Sequence, residues 1–396
     1  MAEVPLKGKM LRWAIDESGF RDEEIAGSLG VELDVIRAWV DELSKPNLTQ
    51  FRRLAAIVKR PTAVFFLPAP PAVSTPKPSF RRPMGSAREG LLPKEIVAIR
   101  DVQRIQGLVA WSRQELGDDP VGLPHFKTSY SPEAAAKKVR QLLGISIAEQ
   151  RKWKTPYVAA RAWRAALEDV GALVFFLPLG ANIDDDDDAG ADEAEDKSVR
   201  GFSVWNDFAP AIAINTAWNP QARIFSMLHE LGHLVTRSDS SCVGVGRARL
   251  GKAGDNVERW CEKFAAAVLL PWDEVSAQMR RDLGWEQGDK VTSVGDVSKI
   301  AGRFRASLSA TAIRMIEQGA ADWPLFDQIP KSSDAKKGGG GAAEGRKRGQ
   351  IRRDEYGVGV TRSIVRAVAE DVITRDDALS HLRVSGRDLD SYLDVG

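Results

Sequence analysis

Cysteine is nearly absent. Cys242 and Cys261 are the only two in 396 residues, too few for a disulfide framework. Long apolar runs are missing as well: "GALVFFLPL" and "FAAAVLLP" fall far short of the roughly 18 residues that span a bilayer, so no membrane segment is expected. The opening "MAEVPLKGKMLRW" lacks the apolar centre of a secretion signal, which points to the cytoplasm. There is no excess of charge of one sign. With 56 basic and 55 acidic side chains the formal net charge is +1, and no global field draws the chain to nucleic acid or membrane. Histidine is scarce, four in all, and no repeat of fixed period is visible.

What remains is ordinary for a globular chain of two or three domains, with 43% hydrophobic and 28% charged residues. Between Lys9 and Leu67 short helical patterns follow one another: "MLRWAIDESG", "RDEEIAGSLG", "LDVIRAWVDEL", "NLTQFRRLAAIVK" and "PTAVFFL". Gly19 and Gly30 end two of them, Asn47 or Thr49 caps the fourth, and Pro61 opens the fifth. A helical domain over 1–67 is expected, followed by a Pro-rich connector over 68–90.

The main domain is expected over 91–325, as an α+β fold, mostly helical, with a small β-sheet packed on one long helix. "GALVFFLPL" has the β-branched and aromatic content of a buried strand. The acidic tract 184–197 repels itself too strongly to enter a core and is expected as a surface loop. "GFSVWNDFAPAIAIN" reads as two strands about Asn206 and Asp207. "NPQARIFSMLHELGHLV" reads as a helix capped by Asn219 with Pro220 in its first turn. A Gly-rich basic linker over 326–350 leads to a small helical segment over 351–396, where Thr374 and Ser385 are candidate caps.

Two of the four histidines stand in "HELGH". Residues four apart share a helix face, so His229 and His233 can aim both imidazoles at one point, and neutral imidazole suits zinc. Glu230 projects beside that point, placed to take a proton from a water that the metal polarises. Gly232 leaves room for a neighbouring strand or a substrate backbone. Such a site needs a third protein ligand. His125 and His381 lie too far away in the chain, whereas "DNVERWCEKFAAAVLLP" offers Glu258 and Glu262 on one face of the next helix. Glu258 would alternatively close a capping box with Asp255, and Cys261 reads as a small buried apolar group as readily as a ligand.

"RIFSMLHELGHLV" followed by "VERWCEKFAAAVLLP" resembles the ImmA/IrrE family of bacterial metallopeptidases. The resemblance covers roughly residues 90 to 320 and is specific over the two helices. It puts the glutamate ligand on Glu258 and the Phe-Ala pair of the second helix on Phe264 and Ala265, with Cys261 and Glu262 as departures from the pattern and Glu262 as the alternative ligand. It implies a cytoplasmic zinc endopeptidase that cleaves a helix-turn-helix repressor and so regulates transcription. The residues themselves imply metal-assisted hydrolysis, with an intact Glu230 favouring an enzyme over a DNA-binding regulator that carries an inert metal site. No side chain that would stabilise an oxyanion is tied to the motif by spacing.

"EEIAGSLGVELDVIRAWVDEL" is similar to an XRE-type helix-turn-helix, with Ile25, Ala26, Leu29, Gly30, Val31 and Ile36 in core and turn positions, and this implies DNA as a partner of the N-terminal domain. Its second helix, however, carries Glu32, Asp34, Asp41 and Glu42 where phosphates would be met. A last expectation concerns substrate entry. Pro210 donates no ladder bond, which suggests that Phe202 to Trp205 or Ala211 to Ile214 lies at a sheet edge, open to an extended substrate.

Overall fold

The computed structural model describes residues 3–71, 92–179, 199–238, 240–242, 256–330 and 348–393. The acidic tract 184–197, most of the connector and most of the Gly-rich linker lie outside these residues, as does Asp255. The chain divides into two compact units, one of Met1–Lys77 with Met84–Asp101, the other of Pro78–Pro83 with Val102–Gly396.

The first unit holds α1 (Gly8–Asp16), α2 (Asp22–Leu29), α3 (Leu33–Val40), α4 (Leu48–Ile57) and a 3-10 turn over Thr62–Phe66. Gly30 takes the left-handed conformation that lets α2 stop and the chain turn into α3. At α4, Asn47 accepts from Gln50 N while the Gln50 side chain accepts from Asn47 N, a reciprocal cap. Leu11, Ile15, Ile25, Ile36, Phe51 and Leu54 form the core of this unit. On and around α3 the exposed charged residues include Glu32, Asp34, Arg37, Asp41 and Glu42, and Arg37 pairs with Asp34 at 3.3 Å.

Helix α5 (Pro93–Glu115) is followed in the second unit by α6 (Pro132–Leu142), α7 (Ile147–Lys152), α8 (Pro156–Asp169), β1 (Leu173–Leu177), β2 (Gly201–Val204), β3 (Ala211–Asn215), α9 (Pro220–Thr236) and β4 (Ser240–Cys242). Then come α10 (Asn256–Leu269), α11 (Trp272–Leu283), α12 (Val294–Phe304), α13 (Leu308–Glu317) and the short α14 (Trp323–Phe326). The fold is α+β, mostly helical, with a four-stranded sheet in the order β1-β3-β2-β4. β3 runs parallel to β1 and antiparallel to β2, and β4 is antiparallel to β2. Among the described residues no helix is long and apolar enough to cross a membrane.

The edge-strand expectation is overturned. β3 lies between β1 and β2, and β2 between β3 and β4, so neither has an open edge. Pro210 precedes the first paired residue, Ala211, so its missing N–H falls outside the ladder. All five residues of β3 are buried, as expected of a short apolar run covered on both faces.

At the C-terminus, α15 (Arg348–Ala369), α16 (Arg375–Leu382) and α17 (Gly386–Leu393) follow, with Thr374 capping α16 as expected. Gly357, at φ 85°, interrupts α15 where it passes β1. Beside it Tyr356 meets Phe175 of β1 edge to face, ring centres 5.8 Å apart. Arg164 of α8 ties the region together by donating to the carbonyls of Asp354 and Val174 and to Glu168.

Candidate metal centre

Helix α9 begins where Asn219 accepts from Ala222 N at 2.9 Å and Pro220 presets the first turn. It is apolar nearly all round because it packs against α8, β2, β3 and α10 at once. His229, Glu230 and His233 are therefore buried polar groups in a core helix, at 4%, 0% and 1% exposure. Groups in such a place persist when they are bonded to something.

Helix α10 is held with equal care. Trp260 stacks on Phe264, ring centres 5.1 Å apart, and its Nε1 donates to the carbonyl of Tyr130. The last carbonyls of α10 and its exit accept from buried side chains: Val268 O from Arg140, Leu269 O from Gln150 and Leu270 O from Arg314. Burial lowers the Arg140 guanidinium to about 10. Glu258, in the first turn of α10, is thereby carried to the histidines.

His229 Nε2 and His233 Nε2 lie 3.1 Å apart. Glu258 Oε2 is 3.3 Å from the first and Oε1 is 3.4 Å from the second. Around a tetrahedral zinc with ligands at about 2.0–2.2 Å, ligand atoms sit about 3.3–3.6 Å from one another, so this trio has nearly the required spacing. Among the described residues His229, His233 and Glu258 are the group able to hold a metal ion. Burial alone would raise the Glu258 carboxyl, but hydrogen bonds and charge from His229 and His233 outweigh it and hold the group well below the usual carboxylate range. An ionised carboxylate is the form a metal requires. At His233 the other ring nitrogen, Nδ1, meets Ser238 Oγ at 3.0 Å, and Ser238 Oγ meets Thr236 Oγ1 at 2.8 Å. With Nδ1–H donating to the serine, Nε2 keeps its lone pair for the metal.

None of the remaining sequence candidates belongs to this trio. Glu262, one turn along α10, is buried but outside the group. Cys261 packs under α9, and burial pushes its thiol up against the opposing pull of His233. His125 is exposed. His381 Nδ1 accepts from Arg104 Nη1 at 2.9 Å, and the residue is not part of the trio.

Glu230 does not join the trio. Its Oε2 accepts from Ser203 Oγ of β2 at 2.9 Å. Ser203 and Ser238 carry roles that spacing did not reveal. For Ser203 a signal existed: a lone hydroxyl inside a buried strand needs a partner, and its strand lies on the helix that bears Glu230.

Comparison with curated proteins gives no match. Residues 167–315, which run from the end of α8 through most of α13 and include the whole trio, match the Peptidase_M78 family, described as the IrrE N-terminal-like domain, and this part of the chain is similar to a metallopeptidase domain.

Proposed function

We propose that the protein is a zinc-dependent endopeptidase that cuts a helix-turn-helix transcriptional repressor and thereby regulates transcription. The observation that carries the reading is the convergence of His229 Nε2, His233 Nε2 and the Glu258 carboxylate at the spacing of a tetrahedral site. A zinc ion bound there supplies Lewis acidity, polarising the scissile carbonyl and making water a better nucleophile. Glu230, next to His229 but outside the trio, takes the proton from that water and returns it to the leaving amine. The buried setting of Glu230 excludes bulk water from the proton transfer. The repressor as substrate rests on the resemblance of α9 and α10 to the ImmA/IrrE helices.

A DNA-binding regulator with an inert metal site is the second reading, favoured by the α2–Gly30–α3 arrangement. Glu32, Asp34 and Asp41 on the exposed side of α3 speak against it, because they repel phosphate and suit a basic protein surface instead. The deciding experiment incubates the zinc-loaded protein with purified helix-turn-helix repressors and follows cleavage by intact-mass spectrometry. Cleavage that disappears in Glu230→Gln while zinc content stays the same supports the enzyme. Binding to a DNA duplex with no cleavage of any repressor supports the regulator.

A further inference from the structure

The strand that supplies Ser203 lies against Glu230. In β2, Gly201 and Ser203 point to the same face, two residues apart. A Cβ at Gly201 would lie 2.8 Å from Ala213 O and 3.0 Å from Ile214 Cδ1, so β3 leaves no space for a side chain there, while Glu230 Cγ would stand at ordinary contact distance, 3.4 Å. Ser203, fully buried, then places its hydroxyl 2.9 Å from Glu230 Oε2. The hydroxyl cannot drift. Ser203 is paired with Ile212 on one side and Ser240 on the other, and Gln106 Nε2 clamps the hairpin by donating to Val204 O and Ala209 O, both at 2.9 Å.

We infer that Ser203 is a positioning residue for Glu230: its hydroxyl anchors Oε2 and so fixes the plane of the carboxylate beside the metal centre. The inference deepens the peptidase reading and rests on it for its catalytic consequence. A carboxylate turns easily about its last torsion, and a proton acceptor is effective only when its lone pair meets the reacting water at hydrogen-bond distance. A donor on a strand paired on both sides restricts that freedom. Removing the hydroxyl would leave the buried Glu230 Oε2 without this donor, so some stability would be lost together with the orientation.

The test compares the full-length zinc-loaded protein with Ser203→Ala, using dye-labelled casein and any repressor that the unmodified protein cuts. The expected result is a kcat about 10- to 100-fold lower with KM changed less than about twofold, the range typical of residues that orient catalytic groups through hydrogen bonds. Zinc stoichiometry should stay unchanged, and the variant should remain folded with a melting temperature lowered by only a few degrees. A second readout needs no turnover: the carboxylate band of Glu230, isolated as the infrared difference between the unmodified protein and Glu230→Gln, should shift in Ser203→Ala. If Ser203→Ala does not fold, Ser203→Cys, similar in volume but a weak donor, carries the same comparison. Unchanged kcat, or an unshifted band, overturns the inference, as does a loss of activity that merely tracks a loss of zinc. Should the unmodified protein cut nothing, the peptidase reading fails, while the infrared arm still decides whether Ser203 holds Glu230.

Discussion

Gly232 lies directly against Cys261: a Cβ on the glycine would stand 3.0 Å from both Cβ and Sγ of the cysteine and 3.1 Å from its Cα. The sequence suggested a strand or a substrate as the close neighbour of Gly232, and the neighbour is helix α10. Close approach of α9 and α10 at this point brings Glu258, one turn before Cys261, within reach of both histidines. Gly232→Ala should therefore push the helices apart, costing about 1–3 kcal/mol and lowering zinc affinity. Urea unfolding and zinc titration of the purified variant measure both effects, and a variant with unchanged zinc affinity would show that the contact is not what sets the ligand spacing.

Glu258 and Glu262 should separate cleanly. Glu258→Gln removes the carboxylate from the trio and is expected to lower zinc occupancy by at least tenfold. Glu262→Gln should leave occupancy within about twofold, because Glu262 is not part of that group. Elemental analysis of the two proteins after dialysis against a weak chelator is the check. The reverse order would assign the ligand to Glu262.

A pH effect is expected at the C-terminus. His381 is held below its ordinary value, first by burial and then by the charge of Arg104, with Asp377 opposing. Its folded pKa is thus lower than its unfolded one, so the unfolded chain binds more protons below about 6.5. The contribution is fully present above that pH and is lost as the pH falls toward the folded value. The protection factors of the α16 amides, with the intrinsic pH dependence of exchange divided out, should fall between pH 7 and pH 5, and His381→Asn should flatten that dependence.

Gly357→Ala should loosen α15 from the sheet. The new Cβ would overlap Glu168 Oε1 and lie 2.9 Å from Val174 O, a backbone atom that cannot swing aside, at a φ that L side chains rarely adopt. A cost of about 3 kcal/mol or more is expected. Faster exchange of the amides of β1 and α15, with α4 unaffected, would be the sign.

The parts of this architecture that were legible in the sequence are those written in local spacing. Asn219 and Pro220 announce α9, Gly30 and Asn47 punctuate the N-terminal helices, and the four-residue interval sets His229 over His233. What escaped depends on contacts between distant segments, which leave no periodic trace. Ser203 meets Glu230 across 27 positions. Pro210 looked like the mark of an edge, yet β4 covers β2 and β1 covers β3, and nothing in the local run of Ala211 to Asn215 specifies those partners. The docking of α15 on β1 through Gly357 belongs to the same class, since a glycine's neighbour is invisible until the chain is folded.

The trio draws its ligands from α9 and α10, with the roughly 25 residues from His233 to Glu258 between them. A metal ion held there is also a crosslink. Because the ion leaves when the chain unfolds, its stabilisation would follow mass action, about 2.7 kcal/mol at a free concentration 100 times the dissociation constant. An ion there would thus add tertiary stability in a chain with almost no cysteine to bridge. Chelation should lower the melting temperature of the second unit even in Glu230→Gln, where no catalysis remains to be lost.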